Sequence, residues 1–242
     1  MKRIFSYILY FSVFVYLIIV ITFVTKEFGG SVCTEVVLER GDGEEFTEGD
    51  AVLGNLSEKL KKLERRKLSS IDKDSIESEI LRYAPVKSVE VYTDIRGKLY
   101  IGIEERHPLF CVRGPAKKFY VDREGVVMNK IFGSTERLHV ATGDITEEYA
   151  VEKLRDFVLW LEKDDFWNSF VEQIVIEGNK DAVLIPKMGD FRIRLGKLGG
   201  GNYEERFEKL YLLLKNGFYP KGWDAYKEVN LKYENLIYCV KK

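Results

Sequence analysis

The sequence predicts an α+β protein in three parts: an N-terminal transmembrane helix, a compact β-α-α-β-β unit, and a larger, mostly antiparallel β domain with two helices. Three observations predict it. Residues 4–25 carry no charge and are bracketed by Lys2-Arg3 and Lys26-Glu27, and about 20 apolar residues in a helix cross about 30 Å of hydrocarbon. From 32 to 106, one strand-like run is followed by two helical stripes and two strand-like runs. From 107 to 242, short alternating runs recur with turn signals, interrupted by two amphipathic stretches.

The apolar run comes first. A signal peptide is the alternative, with an apolar core of about 7–15 residues and a small-residue cleavage site; here the core is longer, and Gly29-Gly30-Ser31 is the only small cluster after it. Lys2 and Arg3 precede the span, which places a tail of residues 1–3 in the cytoplasm and the bulk outside it. The chain holds 38 basic and 39 acidic residues, and with Lys2 and Arg3 set aside the remainder sits near −3. That balance excludes nucleic acid as the main partner. Cys33, Cys111 and Cys239 are too few and too scattered for a disulfide framework. Cys111 and Cys239 lie in apolar strand-like runs and read as buried free thiols, with a Cys111–Cys239 bridge as the sharper expectation.

In the first unit, Val32 to Glu39 reads as a strand and Arg40-Gly41-Asp42-Gly43 as a turn. Leu53 to Leu68 reads as a helix on the spacing of Leu56, Leu60 and Leu63. A second helix runs from Lys73 to Tyr83, capped by Asp72 or Ser70, with Ile76, Ile80 and Tyr83 on its apolar face; Pro85 ends it. Ser88 to Asp94 and Lys98 to Glu105 read as strands around a turn at Arg96-Gly97. A three-stranded sheet with both helices on one face buries these stripes.

In the second unit, strands are expected at Leu109–Val112, Lys118–Val121, Val126–Asn129 and Arg137–Thr142, with a turn at Asp122-Arg123-Glu124-Gly125. Glu147 to Glu162 is an amphipathic helix with Val151, Leu154, Phe157, Val158 and Leu161 on one face. Strands follow at Val171–Glu177, Ala182–Pro186 and Phe191–Leu195. A helix then runs from Asn202 to Lys215, with Asn202 and Glu205 as a capping box. Lys227–Tyr233 and Leu236–Val240 close the chain around Glu234-Asn235.

No catalytic or metal-binding pattern emerges. His107 and His139 belong to no metal-ligand spacing, and no serine sits in a nucleophile elbow. The glycine run from Gly196 to Gly201 lacks the phosphate-loop order and reads as a strand-to-helix connection. Asp164-Asp165 reads as a solvated helix terminus. The chain is expected to need no cofactor and to act on no small-molecule substrate.

Nearly the whole chain resembles the FtsQ/DivIB family of bacterial division proteins. The β-α-α-β-β unit is similar in element order to that family's POTRA domain. The segment "IEERHPLFCV" (Ile103 to Val112) resembles its junction between the two domains, and "FYVDREGVVM" (Phe119 to Met128) its Tyr-x-Asp-x-x-Gly hairpin. "VLIPKMGDFRIRLG" (Val183 to Gly196), "YEERFEKL" (Tyr203 to Leu210) and "YKEVNLKYENLIYCV" (Tyr226 to Val240) resemble, in order, its later strands, helix and closing strand pair.

The resemblance implies a non-enzymatic scaffold of the cytoplasmic membrane at the division septum. FtsB-like and FtsL-like proteins and other divisome membrane proteins are its implied partners. From the residues themselves, the last strand is the expected carrier of function. A chain-terminal strand that closes a sheet edge presents free backbone donors and acceptors, to which a partner adds by β-augmentation. Leu236, Ile237, Tyr238, Cys239 and Val240 form that strand, with Tyr233 as an amphipathic anchor before the turn. The opposing expectation is a strand buried on both faces. Weaker candidates are the Arg192/Arg194 face and the strand from Val86 to Asp94. Two other functional classes stand beside the scaffold: a POTRA-containing part of an outer-membrane assembly or secretion system, and a membrane-tethered cell-wall enzyme.

Overall fold

The computed structural model describes residues 2–29, 31–41, 54–115, 117–131, 138–199, 203–218, 222–233 and 236–242. The chain divides into two compact units, Met1–Glu105 and Arg106–Lys242.

The first unit opens with helix α1 (Lys2–Gly29). Its described side chains, residue 7 and residues 9–22, are exposed. Among the described residues, no helix is long and apolar enough to cross a membrane. Strand β1 (Glu35–Arg40), helix α2 (Gly54–Lys61), helix α3 (Lys73–Ile80) and strands β2 (Val86–Thr93) and β3 (Lys98–Glu105) follow. The sheet order is β1-β3-β2, with β1 parallel and β2 antiparallel to β3. The central strand is the most buried, with Leu99, Ile101 and Ile103 fully enclosed on one face, as its alternation dictates.

Both helices are shorter than the sequence predicts. α2 stops at Lys61, not Leu68. The backbone N–H groups of Arg65 and Leu68 donate to the carbonyls of Cys33 and Ser31, and Cys33 N–H donates to Arg66, so the chain leaves the helix to line the segment before β1. Arg65 takes φ 66° to make that turn. Leu53 and Leu56, and Asp42-Gly43 of the expected turn, lie outside the residues whose side chains or backbone are described. α3 begins as expected, with Asp72 accepting from Ser75 N–H, but ends at Ile80, before Tyr83 and Pro85.

In the second unit, strands β4 (Pro108–Arg113), β5 (Lys118–Asp122), β6 (Val127–Met128) and β7 (His139–Gly143) precede a helical segment. That segment consists of α4 (Glu147–Tyr149), a π-helical turn (Ala150–Leu154) and α5 (Arg155–Leu161). Helix α6 (Asp165–Phe170) follows, an element not predicted from the sequence; Asp164 and Asp165 are the exposed helix terminus expected of them, at its N-terminal end, where Asp164 caps it by accepting from the N–H groups of Phe166 and Trp167. Then come β8 (Val171–Ile176), β9 (Asp181–Pro186), β10 (Arg192–Lys197), α7 (Tyr203–Leu213) with a π-helical turn (Leu214–Phe218), β11 (Tyr226–Tyr233) and β12 (Leu236–Lys241). Asn202 of the expected capping box lies outside the described residues.

These nine strands form one sheet in the order β12-β11-β10-β9-β8-β7-β4-β5-β6. Five neighbouring pairs are antiparallel; β4–β7, β7–β8 and β10–β11 are parallel. The helices cover one face. Leu154, Phe157, Val158, Leu161, Trp167, Phe207, Leu210 and Phe218 pack there on inward residues such as Ile174, Leu184, Ile193 and Val229. Opposite the core, β8 to β11 carry polar groups. Arg194 pairs with Glu177 (2.6 Å) and Glu228 (3.4 Å), and Lys232 with buried Asp181 (2.9 Å).

At the far end, Arg106 bridges Asp122 (2.8 Å) and Glu124 (2.6 Å), while Asp122 also accepts from Val126 N–H (2.7 Å). Asp122 is almost fully buried. It therefore ties the entry to β4 to the β5–β6 turn, which Gly125 closes at φ 87°. This network explains why the sequence holds Arg106, Asp122 and Gly125 at these spacings: a left-handed turn favours glycine, and a buried carboxylate requires its cation.

Candidate functional site

β12 lies at one end of the nine-stranded sheet, hydrogen-bonded to β11 alone. The register pairs Glu228 with Val240, Val229 with Cys239 and Asn230 with Tyr238, and closes at Tyr233 and Leu236. Strand alternation therefore sorts the six expected site residues into two sets. Ile237 and Cys239 turn towards the core and pack partly buried against it. Tyr233, Leu236, Tyr238 and Val240 lie between 50 and 57% exposed. The expectation of a strand buried on both faces does not hold.

The exposed set is apolar along most of the strand. The rings of Tyr233 and Tyr238 meet edge to face at 5.5 Å, an arrangement that fixes both side chains. Across β11 they border the polar row of Glu228 and Arg194. Arg194 is committed to two carboxylates, and its guanidinium is held above its ordinary pKa chiefly by Glu177 and then by Glu228. The weaker candidate at Arg192/Arg194 is thus half occupied by internal ion pairing. The strand also runs one residue further than the sequence suggests, to Lys241 opposite Tyr226; its continued alternation was the available signal.

The other weak candidate, β2, is also a sheet edge, but it presents mainly polar side chains and is partly closed. Glu77 of α3 accepts from Val91 N–H at 2.8 Å. Lys87 and Ser88 bond Glu104, and Tyr92 bonds Glu39.

The cysteine bridge does not form: Cys33, Cys111 and Cys239 are free. Cys111 lies on β4, six strands from β12. At about 4.8 Å per strand the separation is roughly 29 Å, far beyond the about 7 Å limit for a disulfide. Burial pushes the Cys239 thiol above its usual pKa, which keeps it in the unreactive form. The glycine run is likewise not an anion cradle. Gly196 and Lys197 belong to β10, and Gly199 N–H donates to the Tyr203 hydroxyl at 2.7 Å. Gly200 and Gly201 lie outside the described residues. Among the described residues, no group of three or more His, Cys, Asp or Glu side chains is placed to hold a metal.

A family model described as FtsQ/DivIB, C-terminal related, matches residues 107–240. The chain belongs to this family. The match spans β4 to β12 and more than half of the chain. FtsQ/DivIB is a family of cell-division proteins. No curated protein matches the chain.

Proposed function

We propose that this protein is a non-enzymatic division scaffold, anchored in the cytoplasmic membrane by residues 4–25, that captures FtsB-like and FtsL-like partners at the septum by adding a partner strand to β12. The observation that carries the reading is the exposed edge of β12, with three half-exposed apolar side chains in alternate positions. An added strand satisfies edge donors and acceptors for affinity, and side-chain pockets supply selectivity. The anchor rests on the uncharged run from Ile4 to Thr25. The strand-helix-helix-strand-strand order of the first unit supports a POTRA-type recruitment domain.

The test is binding of the full chain, in lipid nanodiscs, to the exterior segments of the FtsB-like and FtsL-like proteins of the same cell. Successive N–H groups on a strand point to opposite sides. Of Ile237→Pro and Tyr238→Pro, one therefore removes an outward donor and the other a rung towards β11. Loss of binding in the variant that retains wild-type melting supports strand addition. Wild-type binding by both variants refutes it.

A further inference from the structure

The helical face of the second unit carries a feature that strand addition at β12 does not use. Between α5–α6 and α7 lies an open groove of about 630 Å³ with walls of Trp160, Phe166, Trp167 and Tyr211. Trp167 is buried and meets Phe207 edge to face at 4.8 Å, so the floor is rigid core. Phe166 and Tyr211 are different: they are 45 and 47% exposed, with rings perpendicular at 5.9 Å. Both rings are large apolar surfaces, and this fold leaves them nearly half in water.

The charges at the rim are unbalanced. Asp164, Glu204 and Glu208 line the groove against the single cation Lys163. Helix stability explains part of this. Asp164 caps α6, and acids in the first turn of α7 suit its dipole. It does not explain Glu208, in the second turn. Glu205, on the other flank, already pairs with Lys209, whereas Glu204 and Glu208 make no ion pair among the described residues. The spacing of Glu204, Glu208 and Tyr211 stacks the two carboxylates and the phenol along one helical face.

Aromatic faces beside unpaired carboxylates are complementary to an organic cation, because ring quadrupole and carboxylate charge attract the same group. We infer that this groove docks a basic segment of a protein partner, an arginine or lysine side chain lying against Phe166 and Tyr211 and pairing with Glu204 and Glu208. The site is separate from the β12 edge in sequence and in chemistry, so one partner segment can hold the edge while another fills the groove.

The probe is a short labelled amphipathic peptide with arginines on its polar face and leucines on its apolar face, with a twin in which every arginine is citrulline. Both are titrated by fluorescence anisotropy against the full chain in a zwitterionic detergent. The arginine peptide is expected to bind at least about tenfold more tightly than its twin, the effect of one cation–π contact and two partly screened charges. Glu204→Gln with Glu208→Gln, both exposed and safe for folding, is expected to weaken it by about tenfold and flatten its salt dependence. Tyr211→Ala weakens it at every salt concentration. Equal binding of the two peptides, binding unchanged in the double glutamine variant, or no binding at millimolar peptide each overturns the inference. Preferential binding of a neutral N-acetylglucosamine oligomer to the same rings also overturns it, in favour of a glycan site.

Discussion

β2 and β12 each close one edge of a sheet, yet they meet solvent in opposite ways. β2 points Lys87, Ser88 and Glu90 outward, and Glu77 occupies one of its backbone donors. β12 points Leu236, Tyr238 and Val240 outward, and its sheet simply ends there. The other end of the same nine-stranded sheet sharpens the contrast. β6 is two residues long, with Met128 fully buried. Short strands, charged side chains and covering groups are the standard defences against unwanted pairing. β2 and β6 use them. β12, at the end of the family-matched region, presents six residues and an apolar row. An undefended edge among defended ones is the contrast on which the proposed partner capture at β12 rests.

The largest effect is expected where an edge is built rather than where it is used. Asp122→Ala removes the buried carboxylate that holds Arg106 and Val126 N–H at the β5–β6 end. It is expected to cost about 3 kcal/mol of stability in urea unfolding, with partner affinity per folded molecule unchanged. Tyr238→Ala reverses the pattern. Its half-exposed ring contributes under about 0.5 kcal/mol to folding, but as an anchor beside Tyr233 its loss weakens partner binding by about 2 kcal/mol, read by calorimetry. Equal losses in both measurements would make β12 an ordinary structural strand.

Glu77→Ala tests the defended edge. It strands Val91 N–H and is expected to cost about 1 kcal/mol of stability, leaving binding at β12 intact. Tyr149 belongs to none of these edges and gives the smallest change. Its hydroxyl is buried without a hydrogen-bond partner, and burial pushes its pKa up to about 12 from 10. The folded state thus favours the neutral phenol, a contribution complete below pH 10 and lost as pH rises from 10 to 12. Tyr149→Phe is expected to raise stability by up to about 1 kcal/mol at pH 7 and to remove its share of that alkaline decline, seen as a flatter melting temperature between pH 10 and 12.

Much of this was legible in the sequence, and the exceptions have physical causes. The alternation of Leu99, Ile101 and Ile103 marks β3 because one face of that strand is buried and the other is not. The run from Leu236 to Val240 was readable as a strand beside Lys227–Tyr233 because only the short Glu234-Asn235 connection separates the two apolar runs. What failed was non-local. α2 ends early because Cys33 and Ser31 compete for its backbone donors, a contact between distant positions. α6 was hidden because Asp164-Asp165 looks the same in a solvated end and in an N-cap. The parallel pairings of β4 with β7 and of β10 with β11 join strands separated by other elements, which no local pattern records. The aromatic groove needed α5, α6 and α7 brought together before its rings became neighbours.

The most direct measurement is hydrogen exchange on the full chain in nanodiscs, with and without the exterior segment of the FtsB-like partner. Strand addition predicts slowed exchange at alternate amides of residues 236–241 on binding, with β2 unchanged. Protection that appears in 86–93 and leaves 236–241 exchanging at its free rate would contradict capture at the last strand.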